Sequence, residues 1–416
     1  MRKLVAVMAL AAVCLFGVPQ NTVISHAEST WQVKAPKKET QGAITYLTYP
    51  NADGQTCWLY QIKVAENADV STLKIPKKIG GLTVTRLGYK QHGDTCYNLF
   101  HEYVESYHGG DGSSELTKKV KEIQLPKTIT AIESGCFSGF DSITLIKLPP
   151  KVTKIVSDVF YGCDSLQSIT LPKDLEEMDI TAFYQCDKLN NITISEQNAK
   201  YIAKNGSVMS KDGKTLYFAY SADNTYKIPA SVTLVKSNAF YVCSAKKVQI
   251  SKNVEELEKW ALQSYKIKKV TVSKKNAYFK KDGQSIYRTD DKSLAVAVAP
   301  KGEKYIMSDK VEKLTDNVSL VGSVDEDFVH EGVILKELIL SKNLKKLEGN
   351  FLFDVNYLEK IQFQSVKPPK FEDKYALPIG DMLTKVYIPK KSEKQYKKLY
   401  KSYKRWTLVK DNWSVY

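Results

Sequence analysis

The sequence predicts an α/β repeat solenoid, in which short strands of successive repeats stack on one another. The main observation is a phrase with a period of about 23 residues that recurs between positions 123 and 194. A fixed period in this range is typical of an array whose units bury their apolar residues against their neighbours. Three series of identical residues follow the period: Ile123, Ile146, Ile169 and Ile192; Leu125, Leu148 and Leu171; Phe137, Phe160 and Phe183.

Within each unit, the order of residues predicts one short strand, a connecting stretch and a turn. The run Cys163-x-x-Leu166-x-x-Ile169-x-Leu171 is close to the leucine-rich-repeat consensus. A proline follows the strand and ends it, because it has no N–H to donate to a neighbouring strand. The connecting stretch lies around residues 175–178, and the turn carries Phe-x-x-Cys. We assign the repeat array to residues 118–365.

Residues 1–27 are predicted to be a secretory signal peptide. Arg2 and Lys3 form a positive start, and the apolar run over residues 4–18 is too short to span a bilayer comfortably. Small residues at Ser25 and Ala27 indicate cleavage after Ala27. No wall-sorting motif follows at the C-terminal end. We therefore expect a secreted, extracellular protein, with association at the cell surface left open. Lipid attachment at Cys14 is the alternative, which Val13 disfavours.

The chain is strongly basic. Without Arg2 and Lys3 it has 59 lysines and arginines against 46 acidic residues, a net charge of +13. Such an exported protein is attracted to anionic surfaces such as wall polymers, acidic glycans or lipid headgroups. Nucleic acid is not expected as a partner, because no arginine-rich or aromatic-interleaved recognition stretch is present. The alternative is that lysine simply solvates a long protein that is one layer thick.

Six cysteines remain after the signal peptide. Cys163, Cys186 and Cys243 each follow a repeat phenylalanine by three residues, so they occupy one slot in successive units. A small apolar residue suits an interior slot, and a free thiol behaves as one. We expect buried thiols there. Only Cys57 and Cys96, outside the regular array, are candidates for a disulfide.

Residues 28–117 are predicted to form an N-terminal β cap and a first, irregular repeat. A disordered lead over residues 31–39 precedes strands at 43–49 and 56–64, which indicate a β-hairpin. Residues 73–87 then repeat the Ile-Pro phrase of the later units. A solenoid needs such a cap, because its end exposes unpaired backbone and apolar side chains.

An insertion at residues 88–117 interrupts this first repeat and holds three of the four histidines of the mature chain. Histidine with carboxylates can bind zinc, and Cys96 with His101 could form a nucleophile pair. Neither arrangement has a known spacing of ligands or catalytic groups. The apolar residues at 97–104 fit an amphipathic helix that docks on the solenoid. We expect a decorated surface loop, with a metal or catalytic site that includes His108 as the alternative.

Strand alternation places polar residues on both sides of each inward isoleucine. Because successive side chains of a strand point to opposite faces, the residues before and after the inward one face outward. They form a polar, weakly basic surface that suits hydrogen bonding to a glycan or a polar protein face, with plain solvation as the alternative. The candidate binding residues are Gln124, Lys147, Ser168, Thr170, Asn191, Thr193, Lys247, Gln249, Lys269, Thr271, Lys360 and Gln362.

Two insertions with hairpin signals interrupt the array. Asn198-Ala-Lys-Tyr201 opens the first, and Asn276-Ala-Tyr-Phe279 opens the second. Each contains an Asp-Gly dipeptide, and the first also contains Asn205-Gly206, which favours a tight hairpin turn. The larger period, which runs from Asn198 to Asn276, is therefore a pair of repeats plus a β-hairpin.

Residues 366–416 are predicted to form a C-terminal cap. A last strand at 385–389 precedes a helix opened by a capping box at 392–395. Tyr396 begins an apolar face, at helical spacing with Leu399, that would cover the final repeat. The opposite face and its flanks are the candidate contact for an anionic polymer: Lys390, Lys391, Lys394, Lys397, Lys398, Lys401, Lys404 and Arg405.

These units resemble the BspA-like leucine-rich repeats of bacterial surface and secreted proteins. The resemblance lies in Phe160-Tyr-Gly-Cys163-Asp-Ser-Leu166 and Phe183-Tyr-Gln-Cys186-Asp-Lys-Leu189, each followed by Ile-x-Leu or Ile-x-Ile. It extends over nearly the whole mature chain. It implies a curved, right-handed solenoid used for adhesion and partner binding, and it supplies no catalytic residues to transfer to this sequence.

The expected function is a non-enzymatic binding or adhesion module that needs no cofactor. The expected partner is a surface protein or glycan of the host or of bacteria, with an anionic cell-wall polymer as a further candidate. Two alternatives stay open. One is a hydrolase or metal-dependent enzyme that uses Cys96, His101 and His108, and the other is a structural spacer associated with the cell wall.

Overall fold

In a computed structural model, the chain is a β-solenoid whose short strands pair in parallel from one repeat to the next. This confirms the predicted leucine-rich-repeat solenoid. The predicted signal peptide lies outside the described residues. The described residues are 35–89, 96–101, 103–105, 110–111, 113–221, 223–264, 266–299, 304–322, 333–349, 355–356, 358–372, 385–401 and 413–415.

The first ladder contains the predicted repeat strands. In Glu122–Gln124 the central isoleucine is buried and both neighbours face outward, as alternation requires. Neighbouring strands pair without a register shift, so that Leu145, Ser168 and Asn191 are aligned. The strands of the first ladder are Thr72–Lys74, Glu122–Gln124, Leu145–Lys147, Ser168–Leu171, Asn191–Ile194, Thr225–Lys227, Lys247–Ile250, Lys269–Val272, Lys304–Ile306, Glu337–Ile339, Lys360–Gln362, Lys385–Ile388 and Trp413–Val415.

A second ladder occupies the place where the sequence predicted only a connecting stretch. Its strands are two residues long and add a second row of backbone pairing to the stack, as Lys154–Ile155 does with Glu177–Met178. They are Ala131–Ile132, Lys154–Ile155, Glu177–Met178, Leu234–Val235, Glu256–Leu257, Lys313–Leu314, Lys346–Leu347 and Lys370–Phe371. Helical structure in the described part of the chain is limited to the α-helix Glu393–Lys401 and the 3-10 turns Thr117–Lys119, Ile180–Phe183 and Lys390–Ser392.

A column of phenylalanine rings runs through the interior. The rings of Phe137 and Phe160 have centroids 5.8 Å apart, and those of Phe160 and Phe183 are 5.7 Å apart. Phe218 from the first insertion continues the column at 5.7 Å from Phe183. Full burial of one such ring contributes about 2 to 3 kcal/mol. Each ring is covered by the next repeat, so the repeats share one continuous core.

The N-terminal end is closed by a mixed sheet. The predicted hairpin is confirmed, and its second strand pairs in parallel with the strand at 82–87. The disordered lead predicted over residues 31–39 is wrong from Lys37 onward, because Lys37 to Glu39 pair with Thr48 to Tyr46 and protect the edge of the hairpin. The strands of this cap are Lys37–Gln41, Ile44–Pro50, Thr56–Val64, Lys78–Ile79 and Leu82–Leu87.

Each array insertion is a three-stranded antiparallel meander whose last strand returns to the solenoid in parallel. Ser319–Gly322 receives the second meander, and Val333–Ile334 pairs with Val355–Asn356 beside it. The meander strands are Tyr201–Lys204, Ser207–Ser210 and Thr215–Ala219 in the first insertion, and Phe279–Asp282, Ser285–Arg288 and Leu294–Ala299 in the second.

A buried asparagine anchors each insertion in the same way. The Asn198 amide donates to the carbonyls of Lys173 and Leu175 at 2.8 and 3.0 Å, and its oxygen accepts the N–H of Tyr201 at 2.7 Å. Asn276 repeats the arrangement in the second insertion, with two carbonyls of the preceding repeat as acceptors at 2.8 and 2.9 Å. The predicted larger period therefore reflects one anchoring device used twice.

The C-terminal helix packs on the last repeat. Tyr396 is fully buried, and its hydroxyl lies 2.8 Å from Ser365 Oγ. In place of the predicted capping box, the hydroxyl of Ser392 donates to the carbonyl of Val366. The helix is thereby attached to the preceding repeat, which agrees with a lid over the end of the solenoid.

Asp158 lies at a turn position with a left-handed backbone (φ 58°) that Gly135 and Asn238 occupy in other repeats. Burial raises the pKa of Asp158 to about 6, against an opposing hydrogen bond from Ser157. The folded pKa is above the unfolded value of 3.8. The ionised carboxylate therefore destabilises the fold above about pH 6, and this penalty fades as the pH falls towards 4.

We expect Asp158→Asn to raise the thermal unfolding midpoint by about 1 to 3 °C at pH 7.5. Asparagine tolerates the left-handed backbone and carries no charge to bury. Most of the gain should vanish at pH 4. Differential scanning calorimetry at both pH values measures it, with the exposed Asp174→Asn as the control. A gain of equal size at both pH values would contradict the role of ionisation.

Candidate functional site

The predicted outward residues all lie on the exposed side of the first ladder. Six are exposed and the other six are half-buried. Backbone pairing divides the ladder into four sheets, and the two insertions separate these into three segments. We call them the first segment (residues 145–194, preceded by the strand at 122–124), the middle segment (225–272) and the third segment (304–388).

The first segment is polar and nearly neutral. The Asn191 amide donates to Ser168 Oγ at 3.0 Å, and the Thr193 hydroxyl donates to Thr170 Oγ1 at 3.0 Å. These bonds join neighbouring repeats and fix the side chains in place. Leu145 adds an apolar spot with 55% of its surface exposed. The segment therefore presents fixed hydroxyl and amide groups beside an apolar contact.

The third segment has one carboxylate, Glu337, among its outward lysines. Lys304 forms an ion pair with Glu337 at 3.0 Å. The bond to Lys304, with a smaller contribution from Lys360, lowers the pKa of Glu337. The ammonium of Lys360 also lies over the ring of Tyr387, 4.9 Å from its centroid.

The middle segment is cationic. Lys247 and Lys269 are aligned partners on adjacent parallel strands, and so are Gln249 and Thr271. Adjacent strands lie about 4.8 Å apart, so the two lysines rise side by side from the sheet.

Some outward positions were missed by the sequence analysis, because tyrosine replaces the inward isoleucine. Tyr226 and Tyr305 are 4% and 1% exposed and fill that slot, which places Thr225, Lys227 and Lys304 in the outward rows. Each tyrosine hydroxyl meets a buried serine of the preceding insertion, at 2.5 and 2.7 Å. The signal in the sequence was an aromatic residue two positions before Ile228 and Met307.

The lysine-rich face of the C-terminal helix is only partly described. Lys390, Lys391, Lys394, Lys397 and Lys398 are exposed. Lys397 bonds to Glu393 at 2.5 Å, and this lowers the pKa of that carboxyl. The side chain of Lys401, and all of Lys404 and Arg405, lie outside the described residues.

The insertion at 88–117 forms strands, so the predicted amphipathic helix is wrong. The backbone of Leu99 accepts from Ile62 N–H at 2.8 Å and donates to the carbonyl of Cys136 at 2.9 Å, which ties this segment to both the cap and the repeat. Phe100 stacks on Phe140 at 5.3 Å in the core. The strands are Cys96–Tyr97, Tyr103–Glu105 and Gly110–Asp111.

The described residues of this insertion do not form the catalytic or metal site that was the alternative prediction. His101 has a left-handed backbone (φ 66°), and its ring stacks on Tyr97 with centroids 4.4 Å apart. The side chain of Cys96 and all of His108 lie outside the described residues. Elsewhere in the described part of the chain, no three His, Cys, Asp or Glu residues are grouped to hold a metal ion.

The cysteines of the repeats are buried thiols, as predicted. The thiols of Cys163 and Cys186 donate to the carbonyls of Phe137 and Phe160, both at 3.1 Å. Cys57 is also a free, buried thiol, so the candidate bridge to Cys96 is not formed. Burial raises the pKa of Cys163 and Cys186 well above the ordinary value, and that of Cys57 to about 11. The reactive thiolate is therefore suppressed.

A groove of about 620 Å³ lies between the second ladder and the first insertion. Tyr201 and Met178 line it, together with Lys154 and Lys236. Lys154 pairs with Glu177 at 2.7 Å, and Lys236 pairs with Glu258. The charges of the groove are thus internally compensated.

These repeats and their stacking define a leucine-rich repeat protein. The family model described as "BspA type Leucine rich repeat region" matches six copies over residues 114–206 and 214–291. These residues therefore carry BspA-type leucine-rich repeats.

Solved structures of low sequence identity were also compared with the chain. The pneumococcal vaccine antigen PcpA aligns with 92% of this chain and 98% of its own, at 18% identity and a TM-score of 0.42. A leucine rich cell surface protein from Faecalibacterium prausnitzii aligns with 80% of this chain and 96% of its own, at 14% identity and 0.38. A T. pallidum leucine rich repeat protein aligns with 56% and 86%, at 18% identity and 0.29. No curated protein sequence matches the chain.

In the part of the chain that the structure describes, no helix has the length and apolarity to cross a membrane.

We expect Cys57, Cys163, Cys186 and Cys243 to resist iodoacetamide in the native protein, because their thiols are buried and protonated. Peptide mass spectrometry should find these cysteines unlabelled in the native protein at pH 8. A sample unfolded in guanidinium should be labelled completely. Rapid native labelling of Cys163 or Cys186 would show that the repeat interior is open and would contradict the structure.

Proposed function

We propose that the protein is a secreted or surface-displayed binding module without catalytic activity, which holds a polar protein or glycan partner against the outward side of the first ladder. The observation that carries this proposal is the fixed spacing of exposed polar side chains in the first segment. Hydrogen bonds between repeats fix Ser168 with Asn191 and Thr170 with Thr193. The BspA-type repeats support it, because the resemblance implies display at the bacterial surface.

A rigid surface of this kind favours binding for a physical reason. Association costs free energy when side chains must be ordered, and these side chains are already ordered. Strands repeat at about 4.8 Å along the ladder, so a partner with its own row of polar groups can meet several repeats at once. Many weak contacts then add to a usable affinity.

The lysine face of the C-terminal helix would assist by retaining the protein on an anionic wall or glycan. Lys390, Lys391, Lys394 and Lys398 are exposed on the lid over the final repeat. Charges in this position attract polyanions, and the attraction weakens as salt screens it.

Binding of the partner by the first segment is tested with the double variant Thr170→Arg/Thr193→Arg in the mature chain. Two long cations should block the first segment and lower capture of wall, mucus or matrix components about tenfold or more. The matched control is Thr130→Arg/Thr153→Arg, which makes the same change at equivalent, exposed positions of two successive repeats, away from the first ladder. Quantitative mass spectrometry of captured material measures the difference. Equal losses in both variants would remove the first segment from the function.

The helix contact is tested by replacing Lys394, Lys397, Lys398 and Lys401 with glutamine. Retention on isolated cell walls should fall severalfold at about 50 mM salt and change little at about 500 mM. The control replaces four lysines of the N-terminal cap, Lys37, Lys38, Lys77 and Lys78, and so removes the same charge. A pelleting assay measures retention. If the helix variant and this control behave alike, only the total charge matters.

A further inference from the structure

Lysines from three strands meet at the middle segment without an ion-pair partner among the described residues. Lys247 and Lys269 are aligned neighbours. The carbonyl of Lys246 accepts the N–H groups of Lys268 and Lys269 at 2.8 and 3.1 Å, which places one Lys-Lys pair directly beside the other. Lys281 arrives from the second insertion, and its ammonium donates to the carbonyl of Val270 at 2.8 Å. We call Lys247, Lys269 and Lys281 the lysine cluster.

Several lysines elsewhere in the described chain face carboxylates of a neighbouring repeat. Examples are Lys154 with Glu177 at 2.7 Å and Lys342 with Asp309 at 2.7 Å. Within the part of the chain that the structure describes, no member of the lysine cluster takes part in an ion pair. Lys266, in the loop before the strand of Lys269, pairs with Asp187.

The charges of this region repel one another. Desolvation, followed by the repulsion from Lys269, lowers the pKa of Lys281. Desolvation and then Lys246 lower the pKa of Lys268 in the same way. Like charges side by side on adjacent strands destabilise a sheet. The arrangement therefore costs stability that a single glutamate would restore, as Glu337 does on the same row beside Lys304.

We infer that the lysine cluster binds a linear anionic polysaccharide that lies across the middle segment. This inference rests on the proposed function and names the class of partner. An approaching polyanion relieves the repulsion on binding, so charge complementarity favours it. Gln249, Thr271 and Thr225 stand beside the lysines on the same face, where they can hydrogen-bond to sugar hydroxyls.

The residue types favour sulfate or carboxylate on a glycan over other polyanions. Lysine is a flexible point charge that follows charges spread along a chain. None of the cluster is arginine, the residue that reads one planar anion by two parallel hydrogen bonds, which favours a partner whose charges are spread along a chain. Aromatic side chains that stack on bases are also absent from the outward positions of these two strands.

The test compares two double variants of the mature chain, Lys247→Gln/Lys269→Gln and Lys360→Gln/Lys385→Gln. Their affinity for immobilised heparin and for polygalacturonate is measured by surface plasmon resonance at about 100 mM salt. Both variants remove two charges from the same row, but only the first lies in the cluster. We expect the first variant to weaken binding about tenfold and the second less than about twofold. Equal losses would overturn the inference.

Binding to other ligands tests whether the cluster is specific for anionic polysaccharides. Duplex DNA and phosphatidylglycerol vesicles present other polyanions, and tighter binding to either than to both polysaccharides would overturn the inference. Neutral dextran should not bind. If neither polysaccharide binds while the first segment still captures a partner, the inference fails and the proposed function stands. If the chain captures nothing, both fail.

A stability measurement separates a binding role from a structural one. Lys269→Glu should raise the thermal unfolding midpoint by about 1 °C or more, because it gives Lys247 and Lys281 an opposite charge. The same variant should lose polysaccharide binding. A fall in the midpoint would show that Lys269 supports the fold, and unchanged heparin binding would also overturn the inference.

Discussion

The structure depends on apolar side chains that one repeat cannot bury alone. The phenylalanine column and the inward isoleucines are covered only when the next repeat is in place. The two ends of the stack are therefore the places where the fold must be completed by other means. The mixed sheet of the N-terminal cap closes one end, and Tyr396 is buried at the other. Interior positions are fixed by this constraint, and the outward rows are left to vary.

The two insertions continue the contacts between successive repeats and do not break them. Asn198 and Asn276 satisfy carbonyls of the preceding repeat, and each meander then presents a strand to the following one. The remaining edge of the second ladder is closed by different side chains. The hydroxyl of Tyr201 donates to the carbonyl of Glu176 at 3.2 Å, and Arg288 donates to that of Glu255 at 3.2 Å.

Division by the insertions gives the first ladder three surfaces with different chemistry. The first segment is neutral and internally hydrogen-bonded, the middle segment is cationic, and the third segment pairs Lys304 with Glu337. The net charge of the whole chain does not reveal this difference between the three segments. Lysines are densest along the chain at the C-terminal helix, which predicts an anionic contact there. In the middle segment, lysines that are distant in sequence lie side by side, and we propose this segment as a further anionic contact.

The sequence alone determined the period, the inward slots and the burial of the repeat thiols, because a solenoid repeats the same contact at the same spacing. It could also place the hairpin signals and the anchoring asparagines, since Asn198 and Asn276 open two copies of one phrase. It failed at residues 97–104, where helical spacing of apolar residues was overridden by backbone bonds from Leu99 to Ile62 and Cys136. Only the tertiary structure decided the second ladder, the outward role of residues next to Tyr226 and Tyr305, and the neighbours of each charge. The approach of Lys281 to Lys269 depends on how the second insertion folds back onto the array, and no periodic pattern records that contact.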